Sequence, residues 1–280
     1  MKKGQSNRLS IQQTEGHGPL TIFHADAIEH DHEVGDISHI CLQALKNKYP
    51  NLQFRYRKEL KKEEINTALH KIDSSLGQEL FVKTATIKPD GGLIEVLDDN
   101  GKWRVVVISE AKHQGKDIEN ISKGILVGTK KDQDTMVAGN AIERAHKNVN
   151  EIANFMLNEK YFPYILFLEG SNFLTQDVTV TRPDGRKVTL HYNDGGLNRL
   201  DRLTAANYGM PINTNLCKNK FVLCNSSTIM LQAASIYTKG DGGHWNTQDM
   251  LNVMLDIART SLRILSTDLF DQLSPKKQEH

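Results

Sequence analysis

Apolar residues recur at helical spacing in five parts of the chain. In the first of these, apolar positions 37, 40, 41, 44 and 45 would share one helical face, and Pro50 ends the segment. The same criterion predicts helices at about 62–72, 197–207 and 247–265. The stretch 134–160 fits one long helix or an extended lead-in followed by a helix.

Short runs of β-branched and apolar residues, bounded by turn signals, predict strands. Runs at 80–87, 93–97 and 103–109 are separated by Pro89-Asp90-Gly91-Gly92 and Asp98-Asp99-Asn100-Gly101, which predicts an antiparallel meander. A strand at 164–168 and a hairpin at 178–191 follow, and the run 229–237 fits a buried strand or a short helix. These elements predict an α/β fold, a single domain with a central mixed β-sheet flanked by helices.

The composition excludes several other classes of protein. Of the 280 residues, 38% are hydrophobic and 25% are charged, as in ordinary globular proteins. No apolar run approaches the ~20 residues that cross a bilayer, so we expect no membrane partner. The polar residues 1–18 lack a secretory apolar segment and predict a flexible N-terminal arm, which leaves residues 19–280 for the domain. The three widely spaced cysteines fit neither a disulfide framework nor a structural zinc site, which predicts a reduced, cytoplasmic location.

The charge balance says little about partners. The chain carries 35 basic and 34 acidic residues, a net charge of +1, which excludes bulk electrostatic binding of nucleic acid. A local positive cleft, offset by acidic surface elsewhere, stays open.

The candidate chemistry lies between residues 88 and 116. Asp90 falls in a turn, and Glu110 and Lys112 fall two residues apart at the end of a predicted strand, so their side chains share a face. Because adjacent strands lie about 4.8 Å apart, a paired neighbour could bring Asp90 to the same side. Carboxylate oxygens suit Mg²⁺, which can neutralise a phosphodiester and activate water, and an ammonium can stabilise the transition state.

This constellation alone leaves two interpretations open, a nuclease site and a surface ion pair. The pattern Glu-x-Lys is common, and Glu59-Leu60-Lys61 repeats it without an upstream Pro-Asp turn. Asp184 follows Pro183 but has no Glu-x-Lys downstream. Only the set of Asp90, Glu110 and Lys112 is complete.

Longer strings resemble a known family, the EcoRI-type type II restriction endonucleases, which have a restriction-endonuclease-like PD-(D/E)xK core. The resemblance covers about residues 54–269 and rests on the strings IKPDGG, EAKHQGKDI, AGNAIERAHKN, YFPY, FLEGSNFLT, TRPDGR, LNRLDRLTAANYGMPIN and MLQAASIYT. It implies that Asp90, Glu110 and the backbone carbonyl of Ala111 hold Mg²⁺. It also implies that Lys112 contacts the scissile phosphate and the attacking water, and we expect His113 to form hydrogen bonds nearby without titrating.

The resemblance also implies DNA-contacting residues. The base-reading segment comprises Met136, Val137, Ala138, Gly139, Asn140 and Ala141, followed by Glu143 and Arg144. Asn can pair with adenine, Arg with guanine, and small apolar groups with the thymine methyl. Val137 departs from the family pattern, which has alanine there. Arg199 and Arg202 are implied in recognition, whereas Lys88, Gln114 and Lys116 are expected at backbone phosphates, which set register and salt-dependent affinity.

The activity that the resemblance implies is Mg²⁺-dependent cleavage of double-stranded DNA. A homodimer would match the palindrome GAATTC, cut between G and A on each strand to leave 5′-phosphate overhangs. Such an enzyme is paired functionally, without a stable complex, with a DNA methyltransferase. Two alternatives stay open: a sequence-specific DNA-binding protein without catalysis, which the intact triple disfavours, and a repair nuclease on the same core. We find no Walker A, GxGxxG or GxSxG string.

Overall fold

The computed structural model describes residues 25–78, 84–125, 139–192, 200–204 and 211–265, with only the helical backbone at 25–32 and 139–143. Residues 200–204 are helical, and a 3₁₀ turn covers Ser171–Phe173. The remaining elements in chain order are α1 (Ala25–Lys48), β1 (Phe54–Arg57), β2 (Leu60–Lys61), α2 (Lys62–His70), β3 (Thr86–Ile87), β4 (Leu93–Leu97), β5 (Trp103–His113), α3 (Asp117–Ser122), α4 (Gly139–Phe155), β6 (Tyr164–Glu169), β7 (Val178–Thr181), β8 (Lys187–Leu190), β9 (Lys220–Cys224), β10 (Ser227–Leu231), β11 (Ser235–Thr238) and α5 (Thr247–Leu265).

A mixed five-stranded sheet forms the centre of the fold, in the order β1-β4-β5-β6-β11. The pairs β1–β4 and β4–β5 are antiparallel, whereas β5–β6 and β6–β11 are parallel. Helices pack against the sheet, so the predicted fold class is confirmed. Within the described ranges, no helix is both long and apolar enough to span a membrane. The predicted arm at 1–18 lies outside those ranges.

The predicted meander is correct for its second and third strands and wrong for its first. The turn at 98–101 joins β4 and β5 as expected. The other neighbour of β4 is β1, and β3 instead pairs with β2 in a small separate sheet. The buried Glu95 of β4 forms ion pairs with Arg55 and Arg57 of β1, which accounts for the preference for β1.

The apolar run 229–237 is two strands rather than one element. β10 pairs with β9 in an exposed hairpin whose turn places Asn225 and Ser226 at positive φ, whereas β11 is buried beside β6. Hydropathy alone does not separate the two strands, because their difference in burial arises from their different partners.

The two faces of the sheet have different neighbours. Along β6, Phe167 packs on Trp245 next to α5, whereas Leu166 and Leu168 pack against Ala145 of α4 and the helical residues 200–204. Residues paired in register on parallel strands point to the same face. Because Glu110 pairs with Leu166 and Lys112 with Leu168, both side chains point toward α4.

The predicted helices agree with the structure where it describes them. The prediction at 37–45 lies within α1, the one at 62–72 covers α2, the one at 134–160 covers α4, and the one at 247–265 matches α5 in full. The predicted helix at 197–207 is described only at 200–204, which is helical. The segment before α4, at 126–138, lies outside the described residues.

Candidate active site

The turn formed by Pro89-Asp90-Gly91-Gly92 places Asp90 next to β5. The amide of Gly91 donates to the Ser109 carbonyl at 2.9 Å. A Cβ at Gly91 would lie 2.0 Å from Ser109 Oγ, and Gly92 adopts a φ of +67°, so the turn needs glycine at both positions. This close approach lets Asp90 Oδ2 accept a hydrogen bond from the Ala111 amide at 3.2 Å.

The structure brings Asp90, Glu110 and Lys112 together around a single ammonium. Lys112 Nζ lies 2.6 Å from Asp90 Oδ2 and 2.8 Å from Glu110 Oε1. It also donates to the Ala111 carbonyl at 2.8 Å. Three oxygens of the kind that Mg²⁺ prefers therefore converge on one positive centre, and this donor set fits the ion expected here.

Burial sets the electrostatics of this group. Only 1% of the Glu110 side chain is exposed, and burial raises the pKa of this carboxyl, although Lys112 opposes the shift. Burial lowers the pKa of Lys112, but the charges of Glu110 and Asp90 outweigh it, so its pKa lies above the ordinary value. Lys112 is thus held as a cation.

Two residues that the sequence analysis missed hold the Glu110 carboxylate. Asn148 of α4 donates through Nδ2 to both oxygens, at 3.3 and 3.2 Å. The Tyr164 hydroxyl of β6 donates to Oε2. Burial, and after it the charge of Glu110, raises the pKa of Tyr164 well above the usual value, so this hydroxyl stays protonated. Neither residue has a local signal, because both contacts depend on how β6 and α4 dock.

The residues expected to read bases are only partly described. Arg144 is exposed on α4, one turn before Asn148, so the two share a face of the helix. Gly139, Asn140, Ala141 and Glu143 belong to the first turn and a half of α4, where only the backbone is described. Met136, Val137 and Ala138 lie outside the described residues.

The second predicted recognition pair is also half described. Arg202 is exposed, whereas Leu200 and Leu203 of the same helical stretch are buried against Ala145 of α4. Arg202 therefore lies beside the helix that carries Arg144. Arg199 lies outside the described residues.

The three residues expected at phosphates differ in exposure. Lys88 is exposed and forms an ion pair with Glu59 at 2.9 Å. Gln114 is buried, with 5% of the residue exposed, and Lys116 is half-buried just before α3. Of the three, only Lys88 is exposed.

Asp90 of the Pro-Asp turn lies beside the strand that carries Glu110-Ala111-Lys112, and Lys112 contacts both carboxylates. This arrangement defines the class of nucleases with a PD-(D/E)xK core. The family model for restriction endonuclease EcoRI matches residues 16–272. The type II restriction enzyme EcoRI of Escherichia coli is 62% identical over 274 residues, 98% of this chain and 99% of that protein. The type II restriction enzyme RsrI of Cereibacter sphaeroides is 50% identical over 267 residues, 95% of this chain and 96% of that protein. The chain belongs to the EcoRI family of type II restriction endonucleases.

We predict that Lys112→Met destabilises the fold in a pH-dependent way. Without the ammonium, the buried Glu110 carboxylate lacks its counter-ion, which should lower the free energy of unfolding by about 3–5 kcal/mol near neutral pH. A raised folded-state pKa at Glu110 makes the charged form costly above its ordinary pKa, so the loss should shrink as pH falls from about 8 to about 5.5. Urea unfolding at the two pH values measures this.

The matched control is Lys88→Met, which removes an exposed ion pair and should cost at most about 1 kcal/mol. If Lys112→Met costs no more than Lys88→Met at either pH, the charge balance described here is wrong.

Proposed function

We propose that the chain hydrolyses both strands of duplex DNA at GAATTC, between G and A, in a Mg²⁺-dependent reaction that leaves 5′-phosphate overhangs. The observation that carries the proposal is the convergence of Asp90, Glu110 and the Ala111 carbonyl on Lys112 Nζ. Membership of the EcoRI family supports the same activity. The target sequence rests on the resemblance of the base-reading segment.

Asp90, Glu110 and the Ala111 carbonyl are the residues that would hold Mg²⁺. When bound, the ion neutralises the phosphodiester and lowers the pKa of a water molecule. Glu110 is fixed for this role because Asn148 and Tyr164 restrain both of its oxygens. Asp90 is fixed by the Ala111 amide, so two ligands and one carbonyl are aligned before DNA arrives.

We infer that the Lys112 ammonium acts as a hydrogen-bond donor. The charges of Glu110 and Asp90 raise the pKa of Lys112, and the three N–H bonds of its ammonium would contact a phosphate oxygen and orient the attacking water. The carboxylates of Asp90 and Glu110 hold Lys112 and would also hold the ion, so with the ion bound the Lys112 ammonium would be free to face the phosphate. In-line attack by that water expels the 3′ oxygen and leaves a 5′-phosphate.

We propose that recognition uses residues at the beginning of α4 and directly before it in the sequence, together with two arginines further along the chain. Met136 to Ala141, with Glu143, Arg144, Arg199 and Arg202, supply the base contacts that we propose in the major groove. Lys88, Gln114 and Lys116 are proposed phosphate contacts, with Gln114 needing to turn out of its buried position. DNA distortion supplies the remaining specificity.

The proposed target sequence also bears on the oligomeric state and the cellular location of the enzyme. A homodimer would place one active site on each strand of the palindrome, and residues 19–280 would form its domain. The enzyme would act in the cytoplasm, where its DNA lies, and would depend on a DNA methyltransferase that protects host sites without forming a stable complex.

We predict that the protein linearises a plasmid with a single GAATTC site when Mg²⁺ is present, and that end mapping finds the cut between G and A. Glu110→Gln should still bind the duplex but should not cut it, because the neutral amide lacks the negative charge with which Glu110 would bind and balance the cation. Glu59→Gln, in the other Glu-x-Lys string, is the matched control and should cut normally. Cleavage of branched or mismatched DNA in preference to this duplex would favour a repair nuclease, and normal cutting by Glu110→Gln would remove Glu110 from the site.

We predict that Tyr164→Phe raises the Mg²⁺ concentration for half-maximal cleavage by about 10-fold or more, because one Glu110 oxygen loses its hydrogen bond. Maximal cleavage at saturating Mg²⁺ should fall less. Tyr237→Phe is the control, since within the described residues the Tyr237 hydroxyl makes no hydrogen bond. Equal Mg²⁺ curves for the two variants would show that Tyr164 contributes packing only.

A further inference from the structure

A second polar cluster lies on the face of the sheet opposite Glu110. His113 and Glu169 are paired in register at the ends of β5 and β6, and both point away from the face that carries Lys112. His244, just before α5, completes the cluster. The Nδ1 atoms of His113 and His244 each lie 3.0 Å from Glu169 Oε1.

The spacing of these atoms suits one small cation. The three ligand atoms lie within 4.8 Å of one another, and the two imidazole rings are stacked with centroids 5.4 Å apart and planes 6° from parallel. In a tetrahedral site with bonds of about 2.0–2.1 Å, neighbouring ligand atoms are about 3.3 Å apart. The two Nδ1–Oε1 distances of 3.0 Å are within a few tenths of an ångström of that spacing. The three ligand atoms, which lie within 4.8 Å of one another, would draw closer together around the ion.

Surrounding groups hold two of the three ligands in a binding orientation. His244 Nε2 lies 3.1 Å from Glu119 Oε1, so a carboxylate can hold the remote N–H and direct Nδ1 inward. The Trp245 amide donates to Glu169 Oε2 at 2.8 Å, which leaves Oε1 facing the histidines. This pairing of carboxylate, histidine and metal is the usual support of a protein metal site.

We propose that His113, Glu169 and His244 bind one transition-metal ion of the Zn²⁺ class, at a site separate from that of Mg²⁺. Two imidazoles and one carboxylate favour Zn²⁺, Cu²⁺ or Ni²⁺ over Mg²⁺. Each imidazole would bind the ion through Nδ1 as a neutral ring with its proton on Nε2, so a proton on Nδ1 is released to solvent from a cationic ring or moves to Nε2 in a neutral one. Access is open because 59% of the His244 side chain is exposed, and water can supply a fourth ligand.

Such an ion would join three segments that are distant in sequence. It would connect the ends of β5 and β6 to the residues just before α5. The ligand on β5, His113, directly follows Lys112 in the chain. A ligand that binds only the folded state raises the melting temperature by mass action. The bound ion would therefore stabilise the folded state at the end of β5, the strand that carries Glu110 and Lys112.

The test measures binding of Zn²⁺ alone to the full chain by calorimetry, with Mg²⁺ in excess. All proteins carry Glu110→Gln, which removes a ligand from the other site. We expect one Zn²⁺ per chain and a raised melting temperature, with Co²⁺ giving the visible absorption of a tetrahedral site. His244→Ala should weaken Zn²⁺ binding by at least about 10-fold.

His191→Ala is the matched control, because His191 is an exposed histidine paired with one carboxylate, Asp177, at 3.0 Å and should bind as the parent does. His244→Gln and the circular dichroism of metal-free proteins guard against loss of folding. No Zn²⁺ binding by the parent, or binding that His244→Ala and His244→Gln leave unchanged, would overturn the proposal.

Discussion

The charge balance around the Lys112 ammonium is the constraint on which the rest of the site depends. Glu110 is almost fully buried, and a buried carboxylate persists only when it is paired and hydrogen-bonded. Lys112 supplies the pairing from two residues along the same strand, and Asp90 shares the same ammonium. The glycine turn before β4 and the parallel neighbour β6 both position groups around this one centre.

Helix α4 links this centre to the residues that we propose read bases. Asn148 holds Glu110, and Arg144 lies one turn earlier on the same face. The backbone of 139–143 forms the beginning of the same helix. Because one helix carries both groups, the position of the proposed reading segment and the orientation of Glu110 are not independent.

The sequence alone predicts the elements whose signals lie in neighbouring residues. The second half of α1, helices α2 and α5, the hairpin of β4 and β5, and the shared face of Glu110 and Lys112 follow from periodicity, turn residues and strand alternation. Contacts made across the fold were missed. Asn148 and Tyr164 lie 38 and 54 residues from Glu110, and His244 lies 75 residues from Glu169. The choice of β1 as the neighbour of β4, and the division of 229–237 into two strands, likewise depend on pairing that no local pattern encodes.

The most direct test of the central claim is the position of a Mn²⁺ ion, located by anomalous scattering in crystals of the protein with duplex DNA. The account predicts one ion bonded to Asp90, Glu110 and the Ala111 carbonyl, with Lys112 Nζ displaced toward the scissile phosphate. An ion bound elsewhere, with Lys112 still bridging Asp90 and Glu110, would contradict it.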